Sequence, residues 1–232
     1  MNSLRHTPTT NRPPQAATRR SPIVITDITE GKIVEAASKV HLEAFSGYLN
    51  ARLGATYAGA LINWFAHEKE AIAIAAVDGH DHVIGYAIGA PAHLVRVLRQ
   101  DMFWVTVRSL VLRPWLLLDV RLWKVGTARL KGMIGPGDSH RSSDLPEPAM
   151  SLFGIGVVSS YRKTGVGRRL LQAFEDKARA LGMRSLLLWV YEDKTATRRL
   201  YEKCGWRHCP SSSPSTKVSK YIRLLDTETP RV

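Results

Sequence analysis

A basic turn that contains two glycines has the composition of an anion-binding site. The turn, residues 162–168, reads Arg-Lys-Thr-Gly-Val-Gly-Arg and follows the apolar stretch 152–158. A helix that begins within this turn would point unpaired backbone N–H groups and the positive end of its dipole at an anion. Gly165 and Gly167 leave room for close approach, and Arg169 adds further positive charge. The turn therefore predicts a pyrophosphate site.

Two familiar phosphate-binding loops do not match this turn. A P-loop ends in Gly-Lys-Ser/Thr, whereas Gly167 is followed by two arginines. The dinucleotide fingerprint needs a third glycine, which residues 165–170 lack. A glycine pair before a helix is also common in ordinary turns, so the turn by itself leaves plain turn chemistry open.

A second segment downstream makes the pattern specific. The apolar stretch 186–191 is followed by residues 193–206, which read DKTATRRLYEKCGW. The basic turn resembles the Gln/Arg-x-x-Gly-x-Gly/Ala element of the GNAT family of N-acetyltransferases. The second segment resembles that family's Asn-x-x-Ala-x-x-Leu-Tyr-Glu-Lys-x-Gly-Phe element, with Lys194 at the Asn position and Trp206 at the Phe position. Both lie in the family's order and spacing.

The resemblance implies an acetyl-CoA-dependent N-acetyltransferase, an acyltransferase that acts by direct attack of a primary amine and needs no metal. It also implies which residues bind acetyl-CoA, through its pyrophosphate and its pantetheine arm. These residues are Ile155, Val157, Arg162, Lys163, Thr164, Gly165, Val166, Gly167, Arg168 and Lys194. The Val157 N–H is the group implied to polarise the thioester carbonyl.

Tyr201 stands where the family has its usual general acid. A phenol with an ordinary pKa of about 10 stays protonated at neutral pH and can donate to a thiolate. Amphipathic packing at the end of a short helix is the alternative role. No general base is predicted, because residues 150–154 contain no acid. His140, Asp144 and Glu147 lie nearby in sequence and are candidates, but they could equally be solvated loop residues. A water chain is the alternative to a dedicated base.

Lys194 departs from the family's pattern. An asparagine at this position would bond the cofactor arm through its amide, and the lysine substitutes a charge contact to phosphate. Asp193, which precedes it, is a candidate cap for the following helix.

Apolar periodicity predicts the elements that position these residues. The predicted strands are residues 23–28, 71–77, 83–89, 152–158, 185–191 and 218–225. The predicted helices carry residues 34–45, 51–67, 165–181 and 195–203. This order is similar to the α/β acyl-CoA N-acyltransferase (GNAT) fold, a mixed central sheet flanked by helices. A single domain is expected over residues 23–226, with a helical insertion at about 92–134 and a C-terminal tail at 227–232.

The insertion is apolar, basic and rich in tryptophan. On a helix, four of its basic residues would share one sector, namely Arg113, Arg121, Lys124 and Lys131. Pro114 suits a first helical position, so two helices are expected to meet near it. One interpretation is a helical lid with a solvated basic face. The other is a surface that contacts an anionic membrane or a phosphate-bearing acceptor.

The formal net charge of +13 is concentrated in two stretches, residues 1–22 and 93–132, which together carry ten of those charges. Residues 1–22 are expected to be a disordered basic leader, with a transit peptide as the alternative. The basic clusters lack a reader motif, which argues against nucleic acid as a partner. Cys204 and Cys209 fit neither a zinc site nor a redox motif, so no metal is predicted.

The expected location is cytoplasmic, because the N-terminal region lacks the apolar core of a secretory signal and no apolar run is long enough to span a bilayer. Peripheral membrane contact through residues 92–134 is the alternative. His41, Ala44, Phe45 and the Leu53-Gly54 pair resemble a bacterial GNAT subgroup with a basic helical insertion that is associated with surface polysaccharide assembly. This favours a nucleotide- or lipid-linked amino sugar as acceptor. A small amine or peptide acceptor, an acetyl-CoA-sensing module without turnover, and nucleic-acid binding are the alternatives.

Overall fold

The computed structural model describes residues 22–29, 31–115, 145–209 and 218–225. The strands within these ranges are β1 (Val24–Asp27), β2 (Ile72–Val77), β3 (Val83–Pro91), β4 (Ala149–Val157), β5 (Ser185–Tyr191), β6 (Arg207–Cys209) and β7 (Val218–Leu224). The helices are α1 (Lys32–Ala44), α2 (Leu49–Arg52), α3 (Ala55–His67), α4 (Leu94–Val111), α5 (Val166–Ala180) and α6 (Thr195–Lys203). None of the helices in these ranges is long and apolar enough to cross a bilayer.

The strands form one mixed sheet in the order β1-β2-β3-β4-β5-β7-β6. Its single parallel pair among the described strands is β4 with β5, and this pair is joined over only three positions, residues 149–151 against 185–187. Both strands then continue, β4 to Val157 and β5 to Tyr191, without further pairing to each other. We call the space between residues 152–157 of β4 and 188–191 of β5 the β4–β5 gap.

Helices cover both faces of the sheet. On one face, α5 presents an i, i+4 stripe of fully buried side chains, Val166, Leu170, Phe174 and Ala178. This stripe lies directly on glycines of β3, because a Cβ at Gly85 would be 2.9 Å from Leu170 Cδ1. On the other face, α1, α3 and α4 pack together with Tyr86 and Ile88 of β3. We call these the α5 face and the α1 face.

The predicted strands and helices agree with the structure to within three residues at their ends, the largest difference being the start of β4 at Ala149 instead of residue 152, with two further corrections. The helix expected over residues 51–67 is broken into α2 and α3 at Gly54, whose φ of +89° lies in the left-handed region. The Arg113 guanidinium packs on Gly54 and donates to the Leu53 carbonyl at 2.6 Å. Arg113 therefore does not belong to a solvated basic face as expected. The short strand β6 was not predicted.

The first half of the expected insertion is α4, which ends three residues before Pro114. The rest lies outside the described residues, including Arg121, Lys124 and Lys131. The expected leader up to residue 21, the loop 135–144 and the tail 227–232 lie outside them as well.

Candidate active site

β4 directs the backbone of alternate residues into the β4–β5 gap. The Val158 N–H donates to the Ile84 carbonyl at 3.0 Å. Hydrogen-bonded and non-bonded residue pairs alternate along an antiparallel ladder, so the next pair, Gly85 with Val157, is a non-bonded one. The pair of Ala87 with Ile155, two residues further along the ladder, is also a non-bonded one. The N–H and C=O groups of Ile155 and Val157 therefore point away from β3, towards the side on which β5 has separated.

A β-bulge lies where β4 and β5 separate. Ile88 of β3 pairs with Gly154, and Gly89 pairs with Leu152, so Phe153 is an extra residue in β4. Bulges bend the strand that carries them and often stand beside active sites. The Phe153 side chain is exposed on one side and contacts Phe65 at a centroid distance of 5.2 Å. The bulge thus bends β4 at the entrance to the gap.

The segment between β4 and α5 is held in place by contacts from two other elements. Glu43 of α1 accepts a hydrogen bond from the Ser159 N–H at 2.7 Å, which lowers the pKa of the Glu43 carboxyl. The Tyr161 hydroxyl donates to Asp78 Oδ2, in the β2–β3 turn, at 3.0 Å. These bonds fix the start of the basic turn relative to α1 and to the β2–β3 turn.

The basic turn ends in an open helix N-terminus. Lys163 and Gly165 both have positive φ, at +62° and +94°, and Thr164 Oγ1 donates to the Tyr161 carbonyl at 2.7 Å. Gly165 caps α5, and among the described residues no side chain bonds the first-turn N–H groups. Those groups are therefore available to an anion. Val166 is fully buried, so it can offer only its N–H.

The basic side chains of the turn differ in where they point. Arg162, Lys163 and Arg168 are exposed. Arg162 Nε donates to the Val157 carbonyl at 3.3 Å, which brings its charge to the end of the β4–β5 gap. Arg169, by contrast, donates to the Ile23 carbonyl at 2.6 Å. Its guanidinium is anchored at the start of β1, which corrects the expectation that this side chain adds its charge within the turn.

Each glycine of the turn has a specific role. A Cβ on Gly165 would meet open space, so Gly165 is needed for its left-handed backbone. A Cβ on Gly167 would lie 3.2 Å from Leu200 Cδ2, so Gly167 lets α6 pack closely on α5. α6 in turn carries Tyr201.

Tyr201 is buried on the α5 face. Its ring lies 5.9 Å from those of Trp206 and Tyr221. Burial raises the pKa of its phenol well above the ordinary value, so the hydroxyl keeps its proton at neutral pH. A smaller contribution to this raised pKa comes from the phenol of Tyr48, in the segment after α1. Tyr201 is thus a protonated hydroxyl that is buried on the α5 face.

Five aromatic rings form a continuous chain on the α1 face. Successive centroids are 5.8, 5.0, 5.4 and 5.2 Å apart. The rings, in order from β3 to β5, are Tyr86, His41, Phe45, Tyr48 and Tyr191. Tyr86 is fully buried, whereas Tyr191 is 45% exposed. This aromatic chain joins β3 to the end of β5 and so covers the α1 side of the β4–β5 gap.

The buried end of the chain is a neutral hydrogen-bonded pair. His41 Nδ1 lies 2.6 Å from the Tyr86 hydroxyl, and burial lowers the pKa of His41 to about 4. His41 Nε2 is buried and has no hydrogen-bond partner among the described residues. Gly154 and Gly156 of β4 make room for the Tyr86 ring, since a Cβ on Gly156 would lie 2.7 Å from Tyr86 Cε1.

The remaining predicted residues are placed as follows. Lys194, rather than the expected Asp193, is the N-cap residue of α6, and no side chain of the described residues makes a cap bond there. The Lys194 ammonium lies 3.4 Å from Asp193 Oδ2 and 5.3 Å from the centroid of Tyr48. Glu147 Oε2 accepts the Ala149 N–H at 2.9 Å, at the far end of β4. At about 3.3 Å per residue along a strand, Ala149 lies about 26 Å from Val157. The Glu147 carboxylate, which binds Ala149, is therefore too far from Val157 to act as the general base. His140 and Asp144 lie outside the described residues.

The sequence analysis did not identify Tyr48, Tyr86 or Tyr191 as residues of this site. The signal that was available is the Gly154-x-Gly156 pair within the cofactor strand. Two glycines on one face of a strand indicate that something packs closely there, and in this structure it is the Tyr86 ring.

Comparison with known proteins identifies the family. A family model described as the acetyltransferase (GNAT) family matches residues 38–206, which is most of the chain. This range includes the gap, the basic turn, α6 and the aromatic chain.

Curated relatives are similar over shorter stretches. The uncharacterized N-acetyltransferase YycN of Bacillus subtilis is 29% identical over 68 residues, 29% of this chain and 44% of that protein. N-alpha-acetyltransferase 40 of Saccharomyces cerevisiae is 30% identical over 88 residues, 34% of this chain and 31% of that protein. Mycothiol acetyltransferase of Geodermatophilus obscurus is 36% identical over 74 residues, 32% of this chain and 22% of that protein. The chain spans less than half the length of each.

Solved structures share the fold. SsHAT has a TM-score of 0.59 at 15% identity, with 88% of this chain and 98% of that chain covered. A GCN5-related N-acetyltransferase from Kribbella flavida has a TM-score of 0.54 at 20% identity, with the same coverage. The ribosomal-protein-S18-alanine N-acetyltransferase of Escherichia coli has a TM-score of 0.51 at 14% identity, with 91% and 99% covered. The predicted fold class is confirmed.

Proposed function

Since this chain belongs to the acetyltransferase (GNAT) family, we propose that it transfers the acetyl group of acetyl-CoA to a primary amine by direct attack. The observation that carries the proposal is the β4–β5 gap. The backbone groups of Ile155 and Val157 face it, and the open N-terminus of α5 lies at its end. The helix that carries the protonated hydroxyl of Tyr201, α6, packs on the first turn of α5 at Gly167. Residues 23–226 would form the single domain that carries this site.

In this proposal the basic turn binds the pyrophosphate of acetyl-CoA. The N–H groups of the first turn of α5 would donate to phosphate oxygens, and exposed side chains would supply positive charge. The residues of this anion site are Arg162, Lys163, Thr164, Gly165, Val166, Gly167 and Arg168. The backbone groups of Ile155 and Val157 would hold the pantetheine arm as a strand partner in the place that β5 leaves open.

The chemistry requires one bond to form and one to break. The amine nitrogen attacks the thioester carbonyl carbon, the C–N bond forms, and the C–S bond breaks with its electron pair on sulfur. The Val157 N–H would donate to the carbonyl oxygen, a type of contact worth about 10²–10³ in rate. The acceptor ammonium loses one proton to water before the attack, and its nitrogen loses a second one to water as the amide forms. Tyr201 would donate its proton to the departing sulfur and recover one from water, and a positioned acid contributes about 10²–10⁴ in rate.

For the acceptor, we propose an amino sugar linked to a nucleotide or a lipid. Exposed aromatic rings stand near the gap on the α1 face, namely Phe153, Trp189 and Tyr191. Flat rings of this kind can stack against a base at about 1–3 kcal/mol each, and the basic residues of the site suit a phosphate-bearing acceptor. A small amine or a peptide is the alternative within the same reaction.

The test is release of free coenzyme A thiol from acetyl-CoA with three acceptor panels: nucleotide-linked amino sugars, polyamines and peptides. Turnover with amino sugars alone would support the full proposal. Turnover with polyamines or peptides instead would support acetyl transfer to an amine but contradict the amino sugar as the acceptor. Tight acetyl-CoA binding with no release on any panel would contradict the transferase and favour a sensing module.

A separate observation favours a membrane partner. The outward face of α4 combines exposed apolar and basic side chains, with Trp104 73% and Phe103 56% exposed. The basic residues of this face are Arg96, Arg99 and Arg108, and the other exposed apolar ones are Val97 and Val111. We propose that this face contacts anionic lipid, because aromatic and basic residues on one helix face suit the membrane interface.

Flotation with anionic and with zwitterionic vesicles tests this partner at low and high salt. The expected result is binding to anionic vesicles that salt weakens and that Phe103→Ser with Trp104→Ser abolishes. The matched control is Val24→Ser, an equally exposed apolar side chain on β1. No binding to anionic vesicles at low salt would contradict the proposal.

A further inference from the structure

The ammonium group of Lys194 occupies an aromatic site at the edge of the β4–β5 gap. Its Nζ lies 5.3 Å from the centroid of the Tyr48 ring. That ring is flanked by Phe45 and Tyr191, at centroid distances of 5.4 and 5.2 Å. Lys194 stands just before α6, at the position where the resembling family segment has an asparagine, so the ammonium is a feature of this chain.

This aromatic site is linked to the proposed acid through Tyr48, whose phenol contributes to the raised pKa of Tyr201. Burial raises the pKa of Tyr48 itself, and both the charge of Lys194 and a hydrogen bond from it oppose this effect. Tyr48 is half-buried and Tyr191 is exposed, so the site opens to solvent on one side.

An aromatic ring attracts an ammonium whatever molecule carries it. The attraction arises from the negative face of the ring and is modest at exposed sites. A primary amine acceptor is also an ammonium at neutral pH, since ordinary alkylamines have a pKa near that of lysine, about 10.4. The site that receives the Lys194 ammonium therefore suits the acceptor's reacting group before it loses its proton.

We propose that the Tyr48 ring receives the acceptor's ammonium and that Lys194 occupies this place when no acceptor is bound. Lys194 is then a built-in competitor, which raises the acceptor concentration needed for binding. This inference rests on the proposed amine acetylation and specifies its acceptor site.

Lys194 is held weakly enough for an incoming ammonium to displace it. The Lys194 side chain is 44% exposed, and its ion pair with Asp193 is also exposed, so neither contact holds it tightly. An incoming ammonium must both displace it and overcome like-charge repulsion at about 5 Å, which is weak near water. Together these effects predict a loss of affinity of about three- to tenfold.

The probe for this site is n-propylammonium, with n-propanol as its uncharged match. Binding of each to the full chain is followed by NMR titration without acetyl-CoA. Lys194→Asn should bind propylammonium about three- to tenfold more tightly than the wild type, with propanol binding unchanged. Adding Tyr48→Leu should remove the gain, whereas adding Tyr48→Phe, which retains a ring, should keep it.

Equal or weaker propylammonium binding by Lys194→Asn would overturn the inference. A gain that survives Tyr48→Leu would overturn it too, because the effect would then be general electrostatics. Thermal unfolding of each variant confirms that it is folded. Weaker acetyl-CoA binding by Lys194→Asn with no change for the probe would contradict the inference and favour the predicted cofactor contact.

The probe experiment involves no turnover, so its outcome is independent of the transferase proposal. A protein that binds propylammonium as expected but releases no thiol would contradict acetyl transfer alone. An active enzyme whose Lys194→Asn variant binds the probe no better would contradict the competitor alone.

Discussion

The Nδ1 atom of His41 lies 2.6 Å from the hydroxyl oxygen of Tyr86, and both side chains are buried. His41 belongs to α1 and Tyr86 to β3, so this bond ties the helix to the sheet directly over Gly154 and Gly156 of β4. The position of the proposed cofactor strand therefore depends on a polar pair that sequence reasoning did not identify.

The His41 pair predicts a pH dependence of stability. The unfolded imidazole takes up a proton below about pH 6.5, whereas the folded one does so only near pH 4. The unfolded state thus binds more protons within this window, and stability falls as the pH is lowered through it, by about 3 kcal/mol in total. Urea unfolding across the window measures the loss. His41→Gln should flatten this part of the profile, and an identical slope in both proteins would contradict the assignment.

Gly156 is predicted to tolerate no side chain. A Cβ there would lie 2.7 Å from Tyr86 Cε1 and 3.0 Å from Ala44 Cβ, so Gly156→Ala should lower the free energy of unfolding by about 1–3 kcal/mol. The matched control is Gly154→Ala, whose Cβ would lie 3.4 Å from the Tyr86 hydroxyl, an ordinary contact. Chemical denaturation of both variants checks this, and equal costs would show that Tyr86 does not pack as described.

Two adjacent arginines should differ in their effect on acetyl-CoA affinity. Arg168 is exposed at the basic turn, so Arg168→Ala should weaken binding about three- to tenfold, and added salt should reduce the difference. Arg169 donates to the Ile23 carbonyl, so Arg169→Ala should leave affinity unchanged and cost about 1 kcal/mol of stability. Calorimetric titration measures both. Equal loss of affinity would mean that general charge, rather than the placement of Arg168, attracts the cofactor.

The parts of the site that were predicted from sequence are local. The basic turn and its open helix follow from a short segment whose residue types determine its conformation. Ile155 and Val157 were named from the family resemblance alone. Tyr201 could be singled out because the segment around it resembles a family element. Its burial and its raised pKa could not be predicted, because they depend on Trp206 and Tyr221 packing around it.

The aromatic chain could not be predicted, because its residues are distant from one another in the sequence. Tyr48 follows α1 and Tyr191 ends β5, and they meet only because the sheet order places β5 beyond β4. Gly54 gives a smaller example: apolar periodicity continues through residues 51–67, but the left-handed backbone at Gly54 breaks the helix and the distant Arg113 occupies the break. Contacts of this kind carry no signal in a single sequence window.

The most direct test of the account is thiol release from acetyl-CoA by Tyr201→Phe, measured with the acceptor that supports turnover in the wild type. The account predicts that kcat falls by about 10²-fold or more while acetyl-CoA affinity stays the same, because the variant loses only the proton for the departing sulfur. Turnover at the wild-type rate in this variant would contradict the assignment of Tyr201 as the acid.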